Sequence, residues 1–417
     1  MNILFFYQSH VMTVLLDSLT RAGHQVDVLI PGPNWLPSLR REGLDNYYTI
    51  ECQDPDDYKN KIDQCLDSGK YDYFFPSWTD VFTLTAVAAS ERNCLPAITS
   101  QAAQCIETKD TYYKIFEQLD IPCPRVYQLI EPDAVLDTVP DNVQFPCVAK
   151  PSHAVSKPGM QILENPAELV EFFSEQSQKH NTQYNPRGKP YMLQEYIAGD
   201  VFSIMGHVVD GRVTIDFCYD IESDCAPYAA ETGCIFPSKQ DTSLLIPYID
   251  RFFKHLGINN TIWMFDLIRN QDNVYFIDFG ARAPTNPQLL VKYSGEEDYA
   301  AKLMDCLFNR KEFVLNNTQA VIWRQIKLPA GLLESLECSR PDLAEELYLP
   351  QEAIWSPTSD YEVHRNPYAV IVADTLEQAE QKFFDLVQSI VVKYKVQFKD
   401  HYSEIFWKKQ CQNNNIT

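Results

Sequence analysis

Short apolar segments that alternate with helical segments over the first hundred residues constrain the fold most strongly. Between the apolar segments, residues 11–23 and 81–92 carry apolar side chains at helical spacing. The apolar segments suit buried parallel strands and lie at residues 2–7, 25–30, 71–76 and 96–98. Because strands that alternate with helices pair in parallel, this pattern predicts a Rossmann-like lobe. The sequence has no GxGxxG motif, so a dinucleotide site is not supported.

The chain beyond this lobe predicts antiparallel strands flanked by helices, which include a helix at residues 108–119 capped by Thr108 and a helix at residues 376–392. One hairpin is expected around Asp210 and Gly211, and a second around the polar turn at residues 271–273. A chain of 417 residues also exceeds what one hydrophobic core usually supports. We therefore predict an α/β and α+β fold in four parts, at residues 1–104, 105–190, 191–310 and 311–417.

The charge and composition of the chain argue against several classes of protein. The formal net charge is −22, and a field of that sign repels nucleic acids and anionic membranes. No apolar run reaches the ~18 residues that a membrane helix needs, and the first residues lack a signal-peptide pattern. The 12 cysteines show no zinc spacing and are typical of buried thiols in a reducing compartment. We therefore expect a cytoplasmic protein.

Two lysines lie at the ends of predicted elements. Lys109 begins a predicted helix at residues 108–119, where a lysine can reach a phosphate beside free backbone N–H groups. Lys150 ends an apolar strand at residues 145–150, where a buried cation is costly without an anion. A loop at residues 152–159 follows it and contains Ser156. A solvent-exposed lysine is the alternative interpretation at both positions.

Two aspartates on the second predicted hairpin indicate a metal site. Asp266 and Asp278 are twelve residues apart, and the hairpin brings them together. Two facing carboxylates repel each other unless a cation lies between them. Oxygen ligands of this kind suit Mg²⁺, with Mn²⁺ as an alternative. Arg282 follows and suits a bidentate contact with an anion. Paired aspartates near a turn also occur for purely structural reasons.

Four segments, in order, resemble the ATP-grasp superfamily, and most closely its amino-acid ligases and carbamoyl-phosphate-synthase-like members. They are TKDTYYKIFEQLDIPCPR, FPCVAKPSHAVSKPGM, MLQEYIAGDVFSIMG and MFDLIRNQDNVYFIDFGARAP. The resemblance implies that residues 105–190 and 191–310 are the small and large lobes of an ATP-grasp fold. The N-terminal lobe precedes them, and a C-terminal α+β region packs on them.

The same resemblance implies roles for individual residues. Lys109, Lys150 and the loop with Ser156 would hold the ATP phosphates, and Asp266 and Asp278 would hold Mg²⁺. Arg282 would stabilise the transferring group. The hinge segment at residues 195–200 would hold the nucleoside. Glu195 would lie beside the adenine, the backbone of Tyr196 and Ile197 would contact the edge of the adenine, and Asp200 would contact the ribose. A looser match, AAETGCIFPS, places Glu231 near a substrate amine.

Three residues depart from the family pattern. Val201 replaces a common Glu, Cys234 replaces a common His, and Gly280 replaces the usual Asn of the metal site. The last change removes one metal ligand, so a single metal ion or weaker metal binding is expected. Two structural alternatives remain open. Glu195 could be a surface carboxylate on an edge strand, and Cys234 could be a packed thiol.

The resemblance implies an ADP-forming carboxylate–amine ligase that makes an amide or peptide bond through an acyl phosphate. Its partners would be a small carboxylate and a small amine, with amino acids expected, and no nucleic acid or membrane. Assembly into a homo-oligomer stays open. Two alternatives also stay open. One is another ATP-grasp reaction, such as carboxylation or carbamoyl phosphate formation. The other is a non-catalytic or regulatory ATP-binding module.

Overall fold

A computed structural model provides the structure of the chain. It describes residues 1–7, 12–30, 44–49, 55–75, 98–131, 134, 139–152, 160–176, 190–223, 231–284, 287–316, 318–328, 331–349, 354–355 and 367–397.

The N-terminal residues form the predicted parallel sheet, with strand order β3-β2-β1-β4. Its elements are β1 (Asn2–Phe6), α1 (Thr13–Arg21), β2 (Gln25–Ile30), β3 (Leu44–Thr49), α2 (Pro55–Leu66) and β4 (Tyr73–Phe75). The β1 sequence is apolar after Asn2 because both faces of the strand are buried: Phe5 packs in one core and Phe6 in another. The predicted helix at residues 81–92 lies outside the described residues. Of the predicted strand at residues 96–98, only residue 98 is described, and it is not in a strand.

A four-stranded antiparallel sheet with order β5-β8-β6-β7 follows. Its region comprises α3 (Ser100–Glu107), α4 (Lys109–Gln118), β5 (Val126–Ile130), β6 (Cys147–Pro151), β7 (Gln161–Leu163), α5 (Pro166–Gln176) and β8 (Tyr191–Glu195). One sheet face packs on α5 through a cluster that includes Phe172 and Leu193. The predicted domain boundary between residues 190 and 191 would assign β8 to the next lobe, although β8 is paired within this sheet. The limits of the four domains stay predictions.

The centre of the molecule is an eight-stranded sheet with order β13-β12-β9-β10-β11-β14-β18-β16. Its strands are β9 (Asp200–Val209), β10 (Arg212–Ser223), β11 (Glu231–Phe236), β12 (Thr261–Asn270), β13 (Asn273–Gly280), β14 (Ala320–Gln325), β16 (Glu346–Tyr348) and β18 (Tyr368–Ala373). A three-stranded sheet, β17-β15-β19, comprises β15 (Gly331–Cys338), β17 (Ile354–Trp355) and β19 (Ile390–Gln397). The remaining helices are α6 (Ile246–Leu256), α7 (Pro287–Tyr293), α8 (Tyr299–Asn309), a 3-10 turn (Pro341–Leu343) and α9 (Leu376–Gln388).

The two faces of the central sheet pack against different layers. Met205 and Met264 lie on the face that packs on α7, α8 and the N-terminal sheet. Phe202 and Phe265 lie on the opposite face, against α3, α4 and α6. Burial of these apolar side chains contributes about 25 cal/mol per Å² and anchors both layers. As a result, α4 lies against the hairpin of β12 and β13. Among the described residues, no helix is long and apolar enough to cross a membrane.

The structure confirms both predicted hairpins and changes two local predictions. Asp210 and Gly211 turn between β9 and β10 with φ of 49° and 76°, as a tight hairpin turn requires. The predicted helix at residues 376–392 ends at Gln388, and the segment beyond becomes β19, whose β-branched residues favour a strand. Thr108 precedes α4 but its hydroxyl does not cap the helix. It donates instead to the Gln104 carbonyl at 3.3 Å.

His207 belongs to a buried polar cluster that connects the β9–β10 hairpin to α8. Its Nδ1 lies 2.8 Å from Asp216 Oδ2, which also accepts a hydrogen bond from the Tyr299 hydroxyl at 3.0 Å. The His207 Nε2 atom lies 3.5 Å from Cys306 Sγ. Asp216 is the residue at which the β9–β10 register shifts. A bulge therefore directs its carboxylate into this cluster.

Candidate nucleotide and metal site

A bulge in β13 creates the local geometry of the candidate site. Asp266 and Asp278 are direct cross-strand partners, and the next pair is Leu267 with Phe276. Ile277 is therefore the extra residue, and a bulge leaves such a residue outside the ladder. Its carbonyl oxygen accepts hydrogen bonds from the Tyr113 hydroxyl at 2.8 Å and from Lys150 Nζ at 3.2 Å. The predicted pairing of the two aspartates is confirmed.

The first turn of α4 contacts this hairpin through Lys109 and Tyr112. Residues three apart share one helix face, and both side chains reach Asp278. Its Oδ1 atom lies 2.6 Å from Lys109 Nζ and 2.5 Å from the Tyr112 hydroxyl. Burial alone raises the pKa of Asp278, but the charges of Lys109 and Lys150 outweigh that effect and lower it to about 2. Asp278 is therefore ionised at neutral pH.

Lys150 lies at the end of β6, buried as the sequence predicts. Its Nζ atom is 3.2 Å from the Tyr113 hydroxyl and 4.9 Å from the centre of that ring. Burial, followed by repulsion from Lys109, lowers the pKa of Lys150 to about 7, although Asp278 and Asp266 oppose the shift. A lysine held in this way gains from an anion that restores its charge.

Asp266 completes the carboxylate pair from β12. The buried Ser203 hydroxyl on β9 donates to Asp266 Oδ1, and Ser203 is also hydrogen-bonded to Tyr219 on β10. Within the described ranges, no group of three or more His, Cys, Asp or Glu side chains is arranged to hold a metal. The described residues would therefore offer a cation two carboxylates here, with water or phosphate as suitable further ligands. Mg²⁺ sites commonly have this composition.

The predicted nucleoside-binding residues lie in the segment that leads from β8 into β9. Glu195 Oε2 accepts a hydrogen bond from the Arg125 backbone N–H at 3.1 Å. Tyr196 is 36% exposed, Ile197 is half-buried, and Asp200 is exposed at the start of β9. At Gly199 a Cβ atom would collide with the carbonyl oxygen of Arg269. A glycine is therefore required for this close approach.

Two buried polar atoms that the sequence reading missed lie on the same small sheet as Lys150. Gln194 is 4% exposed, and its Oε1 atom has no hydrogen-bond partner among the described residues. Ser152 is 1% exposed, and its hydroxyl likewise has none. Alternation places Ser152 on the Lys150 side of β6, and Gln194 opposes Val148 on that same side. A polar residue in an otherwise apolar strand was the available signal for Gln194.

Two further predicted residues, Arg282 and Glu231, lie at different strands of the central sheet. Arg282 follows β13, and its Nη1 atom lies 3.3 Å from the Ala283 carbonyl oxygen. Glu231 begins β11 and accepts a hydrogen bond from Cys234 Sγ at 3.2 Å. Burial, followed by the Glu231 charge, raises the pKa of Cys234 well above its usual range, so this thiol is protonated. The negative charge of Asp266 also raises that pKa. Ser156 lies outside the described residues.

Comparison with known proteins establishes the fold. No family model matches the sequence. An L-amino acid ligase from Bacillus licheniformis matches with a TM-score of 0.76 at 15% identity, over 94% of this chain and 98% of that one. Phosphoribosylglycinamide synthetase from Anaerococcus prevotii gives 0.65 at 17% identity, over 94% and 99%. The biotin carboxylase domain dimer of Hydrogenobacter thermophilus 2-oxoglutarate carboxylase, with MgADP, ADP and bicarbonate, gives 0.68 at 13% identity, over 99% and 95%.

The chain therefore has the ATP-grasp fold, and the resemblance predicted from its sequence is confirmed. The mixed architecture, with its parallel N-terminal sheet and antiparallel lobes, is confirmed with it.

Proposed function

We propose that this protein is an ATP-dependent carboxylate–amine ligase that releases ADP and phosphate. The observation that carries the proposal is the convergence of two lysines and two carboxylates from three separate regions of the chain. Lys109 on α4, Lys150 on β6, and Asp266 and Asp278 on the β12–β13 hairpin meet at one place. The ATP-grasp fold places these elements together, and the L-amino acid ligase has the same fold.

The charges and buried polar atoms of the site fit a magnesium nucleotide. Lys150 is buried with uncharged direct partners, Tyr113 and the Ile277 carbonyl, so it suits a phosphate. The Ser152 hydroxyl is a further donor beside it. The Gln194 Oε1 atom suits an amino group of the base, as in adenine. Buried polar groups without partners are rare, and a ligand is one explanation for them.

The predicted residues would divide the nucleotide between them. Gln194, Glu195, Tyr196, Ile197 and Asp200 would hold the adenosine. Lys109, Lys150, Ser152 and the loop with Ser156 would hold the phosphates. Asp266 and Asp278 would hold Mg²⁺, with Mn²⁺ as an alternative. The metal ion, when bound, neutralises phosphate charge.

The reaction would proceed in two balanced steps. An oxygen of the substrate carboxylate attacks the γ-phosphorus as the bond to the ADP oxygen breaks, which gives an acyl phosphate. The amine nitrogen then attacks the acyl carbon, the carbon–oxygen bond to phosphate breaks, and the nitrogen loses a proton. Arg282 would neutralise the transferring phosphoryl group, and Glu231 would hold the amine. Catalysis would come mainly from positioning and charge stabilisation.

Heavy oxygen in the substrate carboxylate tests this reaction directly. The protein is incubated with Mg-ATP and pools of amino acids whose carboxyl groups carry oxygen-18, and products are analysed by mass spectrometry. The ligase predicts ADP and phosphate that carries one heavy oxygen. Label in AMP would replace the proposal with an adenylating enzyme. Cleavage that requires bicarbonate instead of an amino acid would indicate a carboxylase. Absence of cleavage with every pool would leave a nucleotide-binding module.

A further inference from the structure

The hydrogen bonds to Asp278 are unevenly distributed between its two oxygens. Oδ1 receives three of them, from Lys109 Nζ at 2.6 Å, from the Tyr112 hydroxyl at 2.5 Å and from the Phe279 backbone N–H at 3.0 Å. A carboxylate has about four lone-pair positions over its two oxygens, so three donors saturate Oδ1. The hydrogen bonds to Asp278 from the described part of the chain all end on that atom. Oδ2 accepts none of these hydrogen bonds, and the Asp278 side chain is 33% exposed.

We infer that Tyr112 is a positioning residue for the metal site, fixing Asp278 so that Oδ2 alone is presented to a divalent cation. The inference rests on the proposed function, because it assumes that Asp278 is a metal ligand. Tyr112 is not among the residues that the sequence predicts for the site. Tyr112 does not touch the reacting atoms and acts through the carboxylate.

The surroundings of Tyr112 make it a fixed donor. Its side chain is fully buried, and its ring lies 5.4 Å from those of both Tyr113 and Phe116. Lys109 is different, because its ammonium group ends a flexible stem and has three donors to share. When a phosphate binds Lys109, the contact between Lys109 and Asp278 would weaken. Tyr112 and the Phe279 N–H then keep the carboxylate in place.

The other carboxylate of the pair is held in the same manner. Ser203 is fully buried on β9, and its hydroxyl donates to Asp266 Oδ1. Each aspartate therefore has one oxygen bound by a buried hydroxyl from a neighbouring element. Hydrogen bonds to ligating carboxylates orient them, and their loss commonly weakens metal binding.

The test compares two neighbouring tyrosines that differ in the atom they hold. Tyr112→Phe removes the hydrogen bond to Asp278, whereas Tyr113→Phe removes the bonds to Ile277, Lys150 and Gln194. Both changes keep the buried rings. The probe is Mn²⁺, titrated into each protein saturated with ADP and followed by the EPR signal of free Mn²⁺. Asp278→Asn serves as the reference for loss of the ligand, and thermal unfolding verifies that each variant is folded.

For Tyr112→Phe, we expect Mn²⁺ binding weaker by about 10- to 100-fold, as for loss of other groups that orient metal ligands. Its affinity for metal-free ADP should match the wild type, and Tyr113→Phe should bind Mn²⁺ like the wild type. If Asp278→Asn weakens Mn²⁺ binding and Tyr112→Phe does not, the role of Tyr112 is refuted and the metal site stands. Equal losses in both tyrosine variants would reduce its role to helix packing. Unchanged Mn²⁺ binding in Asp278→Asn would overturn the metal site itself.

Discussion

Nucleotide binding should be accompanied by proton uptake at Lys150. Burial and the charge of Lys109 lower the pKa of Lys150 to about 7 in the ligand-free protein. A phosphate beside its ammonium group would favour the charged form and raise that pKa again. Above pH 7, the protein would therefore have to bind a proton when it binds a nucleotide. The experiment therefore titrates nucleotide into the protein at different pH values.

The size of the effect follows from the pKa. With a pKa of about 7, roughly nine-tenths of Lys150 is neutral at pH 8, so ADP binding should take up about 0.9 proton. Uptake should fall to about half a proton at pH 7 and to about 0.1 at pH 6. The shift from 10.5 to about 7 corresponds to about 5 kcal/mol at ~1.4 kcal/mol per unit. Because the unfolded chain binds more protons between these pKa values, the unfolding free energy of the ligand-free protein should rise with pH across this window.

Calorimetry measures the uptake directly. ADP is titrated into the protein at pH 8 in buffers with different ionisation enthalpies, and the slope of the observed enthalpy against buffer enthalpy gives the proton count. ADP itself contributes little, because phosphate monoesters titrate near pH 6. Lys150→Arg is the matched control, because an arginine stays charged even when it is buried. It should bind ADP without proton uptake.

Two results would contradict proton uptake at Lys150. One is a slope of zero for the wild type at pH 8, which would mean that Lys150 is already charged or does not contact the nucleotide. The other is equal uptake in Lys150→Arg, which would assign the proton to another group. If the slope is zero, Lys150→Met shows whether Lys150 is already charged or does not contact the nucleotide. If Lys150 contacts phosphate, loss of the charge-assisted bond at ~1.5–3 kcal/mol should weaken ADP binding by about tenfold or more.

Two further predictions concern Asp278 and Gly206. Because the Lys109 charge lowers the pKa of Asp278 to about 2, Asp278→Asn should lower the unfolding free energy in urea at pH 7 by ~1–2 kcal/mol, after allowance for solvent screening. The difference should vanish as the pH falls from about 4 to 2, and a more stable variant would show that repulsion from Asp266 dominates. At Gly206 an added Cβ would collide with the Thr214 carbonyl oxygen and lie 2.7 Å from Trp263 Cζ2. Gly206→Ala should therefore cost ~1–3 kcal/mol in the same assay, and an unchanged midpoint would contradict this packing.

The parts of the fold that the sequence predicts well are those with a strong local signal. β1 and β2 are mostly apolar, and the first hairpin turns at Asp210 and Gly211, residue types that tolerate positive φ. The second hairpin explains why Asp266 and Asp278 come close, but the register set by its turn alone would pair Asp266 with Ile277. Their direct pairing depends on the bulge at Ile277. The sequence does not predict β3, because LDNYYT mixes polar and aromatic residues without a clear alternation. It predicts a helix at the start of β19, because the apolar residues there continue from α9.

The parts of the site that the sequence could not predict depend on contacts between distant segments. The bulge at Ile277 has no sequence signal of its own, yet it frees the carbonyl that Lys150 and Tyr113 share. Tyr112 resembles any aromatic residue on an amphipathic helix until the packing of α4 places its hydroxyl against Asp278. The sequence also treated the two aspartates as a repelling pair. The structure instead pairs Asp278 with Lys109, from 169 residues earlier in the chain.

Under the proposed function, that ion pair would let an acidic protein with a formal net charge of −22 keep the proposed anion site ready. Without a nucleotide, Lys109 and Asp278 neutralise each other at 2.6 Å, so neither charge is buried alone. A magnesium nucleotide would supply both new partners at once, phosphate for the lysine and the cation for the carboxylate. Either component alone would satisfy one residue and leave the other uncompensated. Binding of nucleotide and metal should therefore be cooperative, because the pair is exchanged for two new contacts in a single event.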